Sequence, residues 1–312
     1  MIILCALTNV NVMTILKTLT SVRLQELRER MICAMSNETN TMELLKQPLK
    51  IKNLTIHNRL VMAPMECRRT DERGEVSEDM LEYYDQRTKG GVFGLVITEH
   101  HFVSSEGRAS AKQLSIVDDS KIESNRTLVD LVHGNGSAIF MQLGHAGMMA
   151  QPLEGEGKAL GASTGEIPSM KGGMLPVTGM TVEDITRVTE CFAKAAVRAK
   201  EAGFDGIDVH AAHGYLLSQF YSPITNHRDD EYTGNTLEGR LRFHTEVIRA
   251  IRKAVGDDFI ISIRFGAYDY REGGSSMDEI QMASKMLVEA GADILNISCG
   301  LGGAQLIMQP QE

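Results

Sequence analysis

Two histidines and a tyrosine stand directly after a run of apolar residues, and their types and spacing could do chemistry. His210, His213 and Tyr215 follow residues 206–209, which are typical of a buried strand preceded by a helix. Active sites of α/β proteins are concentrated where such strands end. Two imidazoles can hydrogen-bond a carbonyl oxygen while a phenol supplies a proton. The spacing therefore predicts a site that protonates a polarised substrate.

Other uses of these side chains stay open at this point. A His-x-x-His pair also occurs in metal sites, and loop histidines are often satisfied by backbone groups. No third Cys, His or Glu follows at ligand spacing, so no metal is expected. A flavin-free barrel lyase that uses the two histidines is a further alternative. It lacks support because no Schiff-base lysine or metal-ligand set stands at a strand end.

Several segments downstream agree, in order, with one known family. Residues 210–215 are followed by Tyr221-Ser222-Pro223, Asn226-His227-Arg228, Asp230-Glu231-Tyr232 and Arg240-Leu241-Arg242-Phe243. This arrangement resembles the old yellow enzymes, the FMN-dependent ene-reductases that include the flavin domain of bacterial 2,4-dienoyl-CoA reductases. The resemblance covers about residues 45–299. It is specific for the family and unspecific about the substrate.

The resemblance implies a reaction in two halves. NADH or NADPH passes hydride to FMN, and the flavin passes it to an activated C=C bond of an enone, an enoate or an enoyl- or dienoyl-CoA ester. Tyr215 is then the expected proton donor, and His210 and His213 are expected to hold the substrate oxygen. The expected partners are small α,β-unsaturated carbonyl or thioester substrates, and a homo-oligomer stays open.

Six residues at predicted strand ends are expected to contact the flavin, namely Pro64, Met65, Glu66, His100, Gln142 and Arg264. Gln142 lies in Gln-Leu-Gly-His-Ala-Gly, which matches the family segment Gln-Leu-x-His-Ala-Gly. Its amide offers a donor and an acceptor, as the pyrimidine edge of a flavin requires. Arg264 needs an anionic partner if it is buried, either a reduced flavin or a carboxylate such as Glu99 or Asp208.

Two of these positions depart from the family pattern. Many relatives have Thr or Cys two residues after the Pro, where the side chain can tune the flavin potential, but this chain has Glu66 followed by Cys67. A carboxylate there would disfavour a negatively charged reduced flavin; alternatively, Glu66 points to solvent. His100 stands where relatives often have Ala after Glu, so only a peripheral flavin contact is expected of it.

Apolar, β-rich runs alternate with helical stretches from residue 48 onward. The runs lie at residues 60–63, 94–98, 138–143, 206–209, 259–263 and 293–297, and the helical stretches at 77–89, 120–133, 182–201, 237–254 and 277–290. This alternation predicts a parallel sheet with right-handed crossovers. A TIM (β/α)8-type barrel is favoured over a doubly wound sheet, because no Gly-x-Gly-x-x-Gly follows the first strand.

Six strand signals are too few to close an eight-stranded barrel. We therefore expect a barrel truncated after the sixth βα unit, with residues 43–312 forming an FMN-binding unit that lacks its last strands and has an unpaired edge. Residues 1–42 are expected to be an N-terminal extension, with the natural start at Met35 or Met42 favoured over an anchor. The alternative to an enzyme is a non-catalytic remnant that binds flavin weakly or not at all.

Composition narrows the class of protein further. The formal net charge of −9 over 312 residues argues against a nucleic-acid or anionic-membrane partner. The five cysteines include no Cys-x-x-Cys pair, so neither a disulfide framework nor an iron–sulfur cluster is expected in this chain. A reducing, cytoplasmic location fits this pattern. The first twelve residues are too short and too polar for a membrane span.

Overall fold

The computed structural model describes residues 2–5, 43–71, 73–153, 157–168 and 173–301. Its strands, in chain order, are β1 (Ile2–Cys5), β2 (Leu49–Ile51), β3 (Leu54–Ile56), β4 (Val61–Met62), β5 (Leu95–Phe102), β6 (Leu114–Ser115), β7 (Ala138–Gly144), β8 (Leu160–Gly161), β9 (Gly165–Pro168), β10 (Met174–Gly179), β11 (Gly206–Ala211), β12 (Ile260–Gly266) and β13 (Ile294–Ser298). The α-helices with both ends in the described residues are α1 (Glu78–Thr88), α2 (Ile122–Gly134), α3 (Val182–Glu201), α4 (Leu216–Tyr221), α5 (Leu237–Val255) and α6 (Ile280–Ala290).

One parallel sheet carries the fold, with strand order β1-β13-β12-β11-β7-β5-β4 and β6 paired to β5. Six of its strands coincide with the six apolar runs of the sequence, and α1, α2, α3, α5 and α6 coincide with the helical stretches. A parallel sheet whose strands alternate with helices in this order is the architecture of an α/β barrel. The expected α/β barrel-type fold is confirmed, with six strands and five helices at the predicted positions.

The sheet edge beyond the sixth unit differs from the expectation. β1 lies parallel to β13, with Ile2 as the Cα partner of Ile294, so the edge of β13 is paired. Residues 2–4 are apolar and β-branched or leucine, a composition that suits a strand completing a parallel edge. The start at Met35 or Met42 and residues 302–312 lie outside the described residues. The proposed division at residue 43 stays a prediction.

Local sequence explains where the helices begin and end. α3 starts with a capping box, in which Thr181 accepts from the Asp184 backbone and Asp184 accepts from the Thr181 backbone. Gly203 and Gly291 follow α3 and α6 at φ values of 96° and 120°, the left-handed region that glycine enters without steric cost. The apolar faces of these helices pack on the sheet in one continuous hydrophobic core.

A short hairpin covers the N-terminal end of the sheet. β2 and β3 pair antiparallel, and Ile51 and Ile56 pack against buried residues of β5, β7, β12 and β13 near the start of those strands. Apolar side chains therefore fill this end. Polar side chains are thus concentrated at the opposite, C-terminal end, where barrel enzymes carry their active sites.

The long connection between β7 and α3 contains more regular structure than its composition suggests. β10 pairs with β8 in parallel and with β9 antiparallel, which forms a small three-stranded sheet. Because these strands are only two to six residues long, they leave little periodic signal in the sequence. None of the helices within the described ranges has the length and apolar character needed to cross a membrane.

Candidate functional site

The loop after β11 bends sharply and thereby brings two histidines and a tyrosine together. His213 has φ 60° and Gly214 has φ 76°, two consecutive left-handed residues before Tyr215, the N-cap of α4. A left-handed conformation is strained for a side chain as large as imidazole, and such strain is concentrated at functional sites. The His213 backbone N–H donates to the carbonyl of Cys299 at 3.2 Å, which ties the bend to the end of β13.

Four aromatic rings form one cluster at the C-terminal end of the sheet. The His210 ring lies 5.2 Å from His213, 4.8 Å from Tyr215 and 5.9 Å from His100, measured between centroids. These three contacts are all edge-to-face. The His100 and Tyr215 rings are stacked, at 5.2 Å and an interplanar angle of 29°. The structure therefore brings together four of the residues that the sequence singled out.

The two histidines of the bend are neutral near neutral pH. Burial, together with the positive charge of Arg264, lowers the pKa of His213 to about 3. Burial also lowers the pKa of His210 well below its usual value. The backbone N–H of Ala212 donates to Nδ1 of His210 at 3.4 Å, so the ring proton of His210 lies on Nε2. Both imidazoles are hydrogen-bonding groups here and not cations.

Tyr215 is a protonated phenol over a wide pH range. Burial, together with the negative charge of Glu66, raises its pKa to about 12. His213 is oriented by a hydrogen bond of 2.6 Å between its Nε2 and the hydroxyl of Ser298 at the end of β13. The arrangement can therefore present imidazole N–H groups to an oxygen and a phenol O–H to a basic carbon.

Below the ring cluster lies a buried polar network centred on Asp208. The carboxylate accepts from the amide nitrogen of Gln142 at 2.8 Å and from the hydroxyl of Ser262 at 2.6 Å. These three residues are Cα partners across β7, β11 and β12. Burial raises the pKa of Asp208, whereas the two hydrogen bonds and the charge of Arg264 lower it. Of the carboxylates expected as a partner for Arg264, Asp208 acts on it through its charge.

Arg264 and Asn296 leave one buried donor and one buried acceptor without partners among the described residues. They are Cα partners on β12 and β13, and neither the Nε of Arg264 nor the Oδ1 of Asn296 is hydrogen-bonded. The Nη1 of Arg264 donates to the carbonyl of Pro64 at 3.5 Å. Buried polar groups are almost always satisfied in folded proteins, so such a pair indicates a ligand or bound water.

The loop after β4 places its residues at the rim of the site. Met65 is 57% exposed, and Pro64 is half-buried. Glu66 does not point freely into solvent, since its carboxylate accepts from the Ser110 hydroxyl at 2.5 Å and pairs with Arg68 at 3.3 Å. Its negative charge acts on Tyr215 and His100.

Three supporting residues carried no signal in the sequence. Gln113 binds Nδ1 of His100 from a loop, and Ser298 and Asn296 reach the site from the last strand of the sheet. Ser298 and Asn296 are far along the chain from their partners and meet them through strand register, whereas Gln113 meets His100 through the fold of a loop. In the described part of the chain no three His, Cys, Asp or Glu side chains are grouped to hold a metal ion.

The sequence and the fold were compared with known proteins. The model of the NADH:flavin oxidoreductase / NADH oxidase family matches residues 44–300. An NADH oxidase of Thermoanaerobacter brockii is 43% identical over 253 residues, which are 81% of this chain and 38% of that protein. An NADPH dehydrogenase of Bacillus velezensis is 40% identical over 254 residues, covering 81% of this chain and 72% of that protein.

Solved structures agree with these relatives. A 2-naphthoyl-CoA reductase in complex with 2-naphthoyl-CoA superposes with a TM-score of 0.78 at 30% identity, covering 84% of this chain and 41% of that one. An old yellow enzyme homologue from Zymomonas mobilis superposes with a TM-score of 0.72 at 29% identity, covering 81% and 72%. The chain spans about two fifths of the length of the first relatives it matches. It belongs to the NADH:flavin oxidoreductase / NADH oxidase family, with the α/β barrel architecture of the old yellow enzymes.

Proposed function

We propose that this chain carries the flavin and substrate site of an NAD(P)H-dependent reductase of activated C=C bonds. The observation that carries the proposal is the position of two neutral imidazoles and a protonated phenol beside a buried, unsatisfied donor and acceptor. The relatives named NADH oxidase and NADPH dehydrogenase support the reductant. The expected substrates are small enones, enoates or enoyl-CoA thioesters.

The polar groups of the site fit the pyrimidine edge of FMN. That edge alternates carbonyl acceptors with an N–H donor, and the unsatisfied Nε of Arg264 and Oδ1 of Asn296 are one donor and one acceptor. Gln142 lies between β5 and β11 with its amide nitrogen committed to Asp208, which directs its oxygen. Pro64, Met65, Glu66 and His100 are proposed to line the remaining flavin rim. When bound, FMN supplies the hydride chemistry.

His210 and His213 are proposed to hold the carbonyl or thioester oxygen of the substrate. Because burial keeps both rings neutral, they donate hydrogen bonds without placing a full positive charge in the site. Hydrogen-bond donors aimed at an oxygen that gains negative charge stabilise the enolate-like transition state. Ser298 holds the ring of His213 through the hydrogen bond at Nε2.

Tyr215 is proposed to protonate the α-carbon of the substrate. Its phenol stays protonated because burial and Glu66 raise its pKa to about 12, and its ring is held against His210 and His100. A positioned general acid contributes about 10²- to 10⁴-fold to a rate. The hydroxyl of Tyr215 therefore supplies the proton while the imidazoles hold the oxygen.

An absorbance spectrum of the purified chain, recorded with and without added FMN, is the first experiment. Bound flavin is expected, with NAD(P)H oxidation that depends on an added enone or enoyl-CoA acceptor. A folded chain that binds no flavin would contradict the proposal and favour the non-catalytic alternative. Arg264→Leu is the matched variant, since it removes the unsatisfied donor and should abolish flavin binding.

A further inference from the structure

His100 makes the one stacked contact in the ring cluster of the described residues. Its ring lies almost parallel to Tyr215, at 5.2 Å and 29°, whereas the contacts of His210 are edge-to-face at 80° to 88°. A stacked ring covers the face of the phenol and limits its rotation, which an edge contact does less effectively. His100 therefore forms a wall for Tyr215, a role not implied by a peripheral flavin contact.

Gln113 fixes the orientation of the His100 ring. The backbone N–H of Ala109 donates to Oε1 of Gln113 at 2.6 Å, which identifies the amide oxygen. The amide nitrogen must then face His100, where it lies 2.8 Å from Nδ1 and 3.2 Å from the carbonyl. Because an amide nitrogen only donates, Nδ1 is an acceptor and the proton of neutral His100 lies on Nε2. Both residues are buried, so the ring has little freedom.

Gly144 on β7 lies between the two imidazoles that approach each other across this strand. A β-carbon built at Gly144 would lie 3.6 Å from the β-carbon of His210 and 3.7 Å from that of His100, in contact with both. His100 on β5 and His210 on β11 are separated by this strand. Their ring centroids nevertheless approach to 5.9 Å. Gln113 thus holds the His100 ring from one side, and Tyr215 stacks against it.

We propose that His100, held by Gln113, is a positioning residue for the proton donor Tyr215. Its ring fixes the plane of the phenol, and through that plane the direction in which the hydroxyl points at the substrate. The inference rests on the proposed function, because the direction of the hydroxyl matters for catalysis only if Tyr215 is the proton donor. The positioning itself depends only on contacts within this chain and can be measured without flavin or substrate.

The test replaces Tyr215 with 3-fluorotyrosine and records its ¹⁹F NMR spectrum in the full chain. Three variants are compared with the parent: His100→Ala removes the wall, Gln113→Leu removes the anchor, and the double change His100→Phe with Gln113→Leu keeps a ring without the polar pair. His57→Ala is the matched control, because this exposed histidine lies outside the site. Circular dichroism verifies that each variant is folded.

A held phenol should give two resolved lines or one shifted line in the parent, the control and the Phe-Leu double variant. His100→Ala should collapse the signal toward that of free fluorotyrosine, and Gln113→Leu should broaden it.

In flavin-loaded protein, His100→Ala should slow alkene turnover by about 10²-fold, because the proton donor is misdirected. The double variant should restore turnover. An unchanged ¹⁹F signal in His100→Ala would overturn the positioning role. If the ¹⁹F signal changes in His100→Ala but the chain binds no flavin, the proposed function is wrong and the positioning role stands.

Discussion

Gln142 donates its amide nitrogen to the carboxylate of Asp208, 2.8 Å away, across the neighbouring strands β7 and β11. One donor of the amide is thereby committed, so the carboxylate sets the direction of the side chain that faces the proposed flavin. Asp208 also balances the buried charge of Arg264. A single buried carboxylate thus orients Gln142 and lies near Arg264, the two polar groups of the proposed cofactor site.

Asp208→Asn tests this arrangement. The substitution removes the charge, and the new amide can donate to the oxygen of Gln142 and so reverse the orientation of that side chain. The dissociation constant of FMN should then rise about tenfold, which corresponds to the loss of one charged hydrogen bond. Quenching of FMN fluorescence during titration measures it. Asp119→Asn, at an aspartate whose side chain is 82% exposed, is the control. Equal affinity in the two variants would exclude an organising role for Asp208.

Tyr215→Phe separates proton donation from the rest of the reaction. The variant keeps the ring contacts with His100 and His210 but loses the hydroxyl. Alkene turnover should fall by about 10²- to 10⁴-fold, whereas the rate at which NAD(P)H reduces bound flavin should stay the same. Stopped-flow absorbance resolves the two half-reactions. Tyr270→Phe, at an exposed tyrosine, serves as the control; equal losses in both halves would refute the assignment.

Acid should destabilise the fold through its buried histidines. Burial lowers the pKa of His101 to about 4 and that of His244 to about 3, from 6.5 in the unfolded chain. Since the unfolded chain takes up protons first, this stability is complete above pH 6.5 and is lost as the pH falls toward 4. Each histidine adds about 1.4 kcal/mol per pH unit to the slope of the free energy of unfolding against pH.

Urea unfolding at several pH values between those limits measures the slope. His101→Gln is the informative variant, because an amide can still bind Asn125, the partner of His101 at 2.9 Å, but does not titrate. Its free energy of unfolding should depend on pH less steeply than that of the parent, by one proton. Identical slopes would show that His101 is protonated in the folded state.

Cys67 is expected to be an unreactive thiol despite its place beside the site. Its Sγ donates to Glu99 at 3.0 Å, and burial, with Glu99 as the next cause, raises the thiol pKa to about 12. Glu99→Gln should speed alkylation by iodoacetamide at least about tenfold, one pKa unit of thiolate. Peptide mass spectrometry follows the reaction, with Cys191 in the same sample as the internal control. An unchanged alkylation rate at Cys67 would show that Glu99 does not suppress the reactivity of this thiol.

The helices and strands of this chain were largely predictable because their signals are local. α3 has the predicted bounds, since Thr181 and Asp184 make a capping box and Gly203 ends the helix. β5 runs four residues further than its apolar run, through Glu99 and His100. In a sequence, polar residues at the end of a buried strand cannot be told from loop residues. Only the structure shows the distant side chains to which they are hydrogen-bonded.

The residues of the candidate site were predictable only where they belong to a sequence motif or end a predicted strand. His210, His213 and Tyr215 are adjacent in the chain, so one segment revealed them, and Gln142 and Arg264 ended recognisable strands. The partners that orient them come from distant segments through strand register, as Ser298 does for His213. The ion pair and hydrogen bond that hold Glu66 likewise depend on how two loops meet.

One extra residue in β5 decides which side chain the site receives. Ile97 is the partner of Phe140 and His100 is the partner of Gln142, so three steps along β5 match two along β7. Side chains alternate along a strand, and the irregularity exchanges the sides on which the following residues emerge. Glu99 turns toward Cys67 and His100 toward Tyr215. In a regular register Glu99 would take the place of His100 as the partner of Gln142, so the extra residue keeps a carboxylate away from the phenol and places an imidazole there. The length of this strand, as much as its composition, therefore decides which side chain stands against Tyr215.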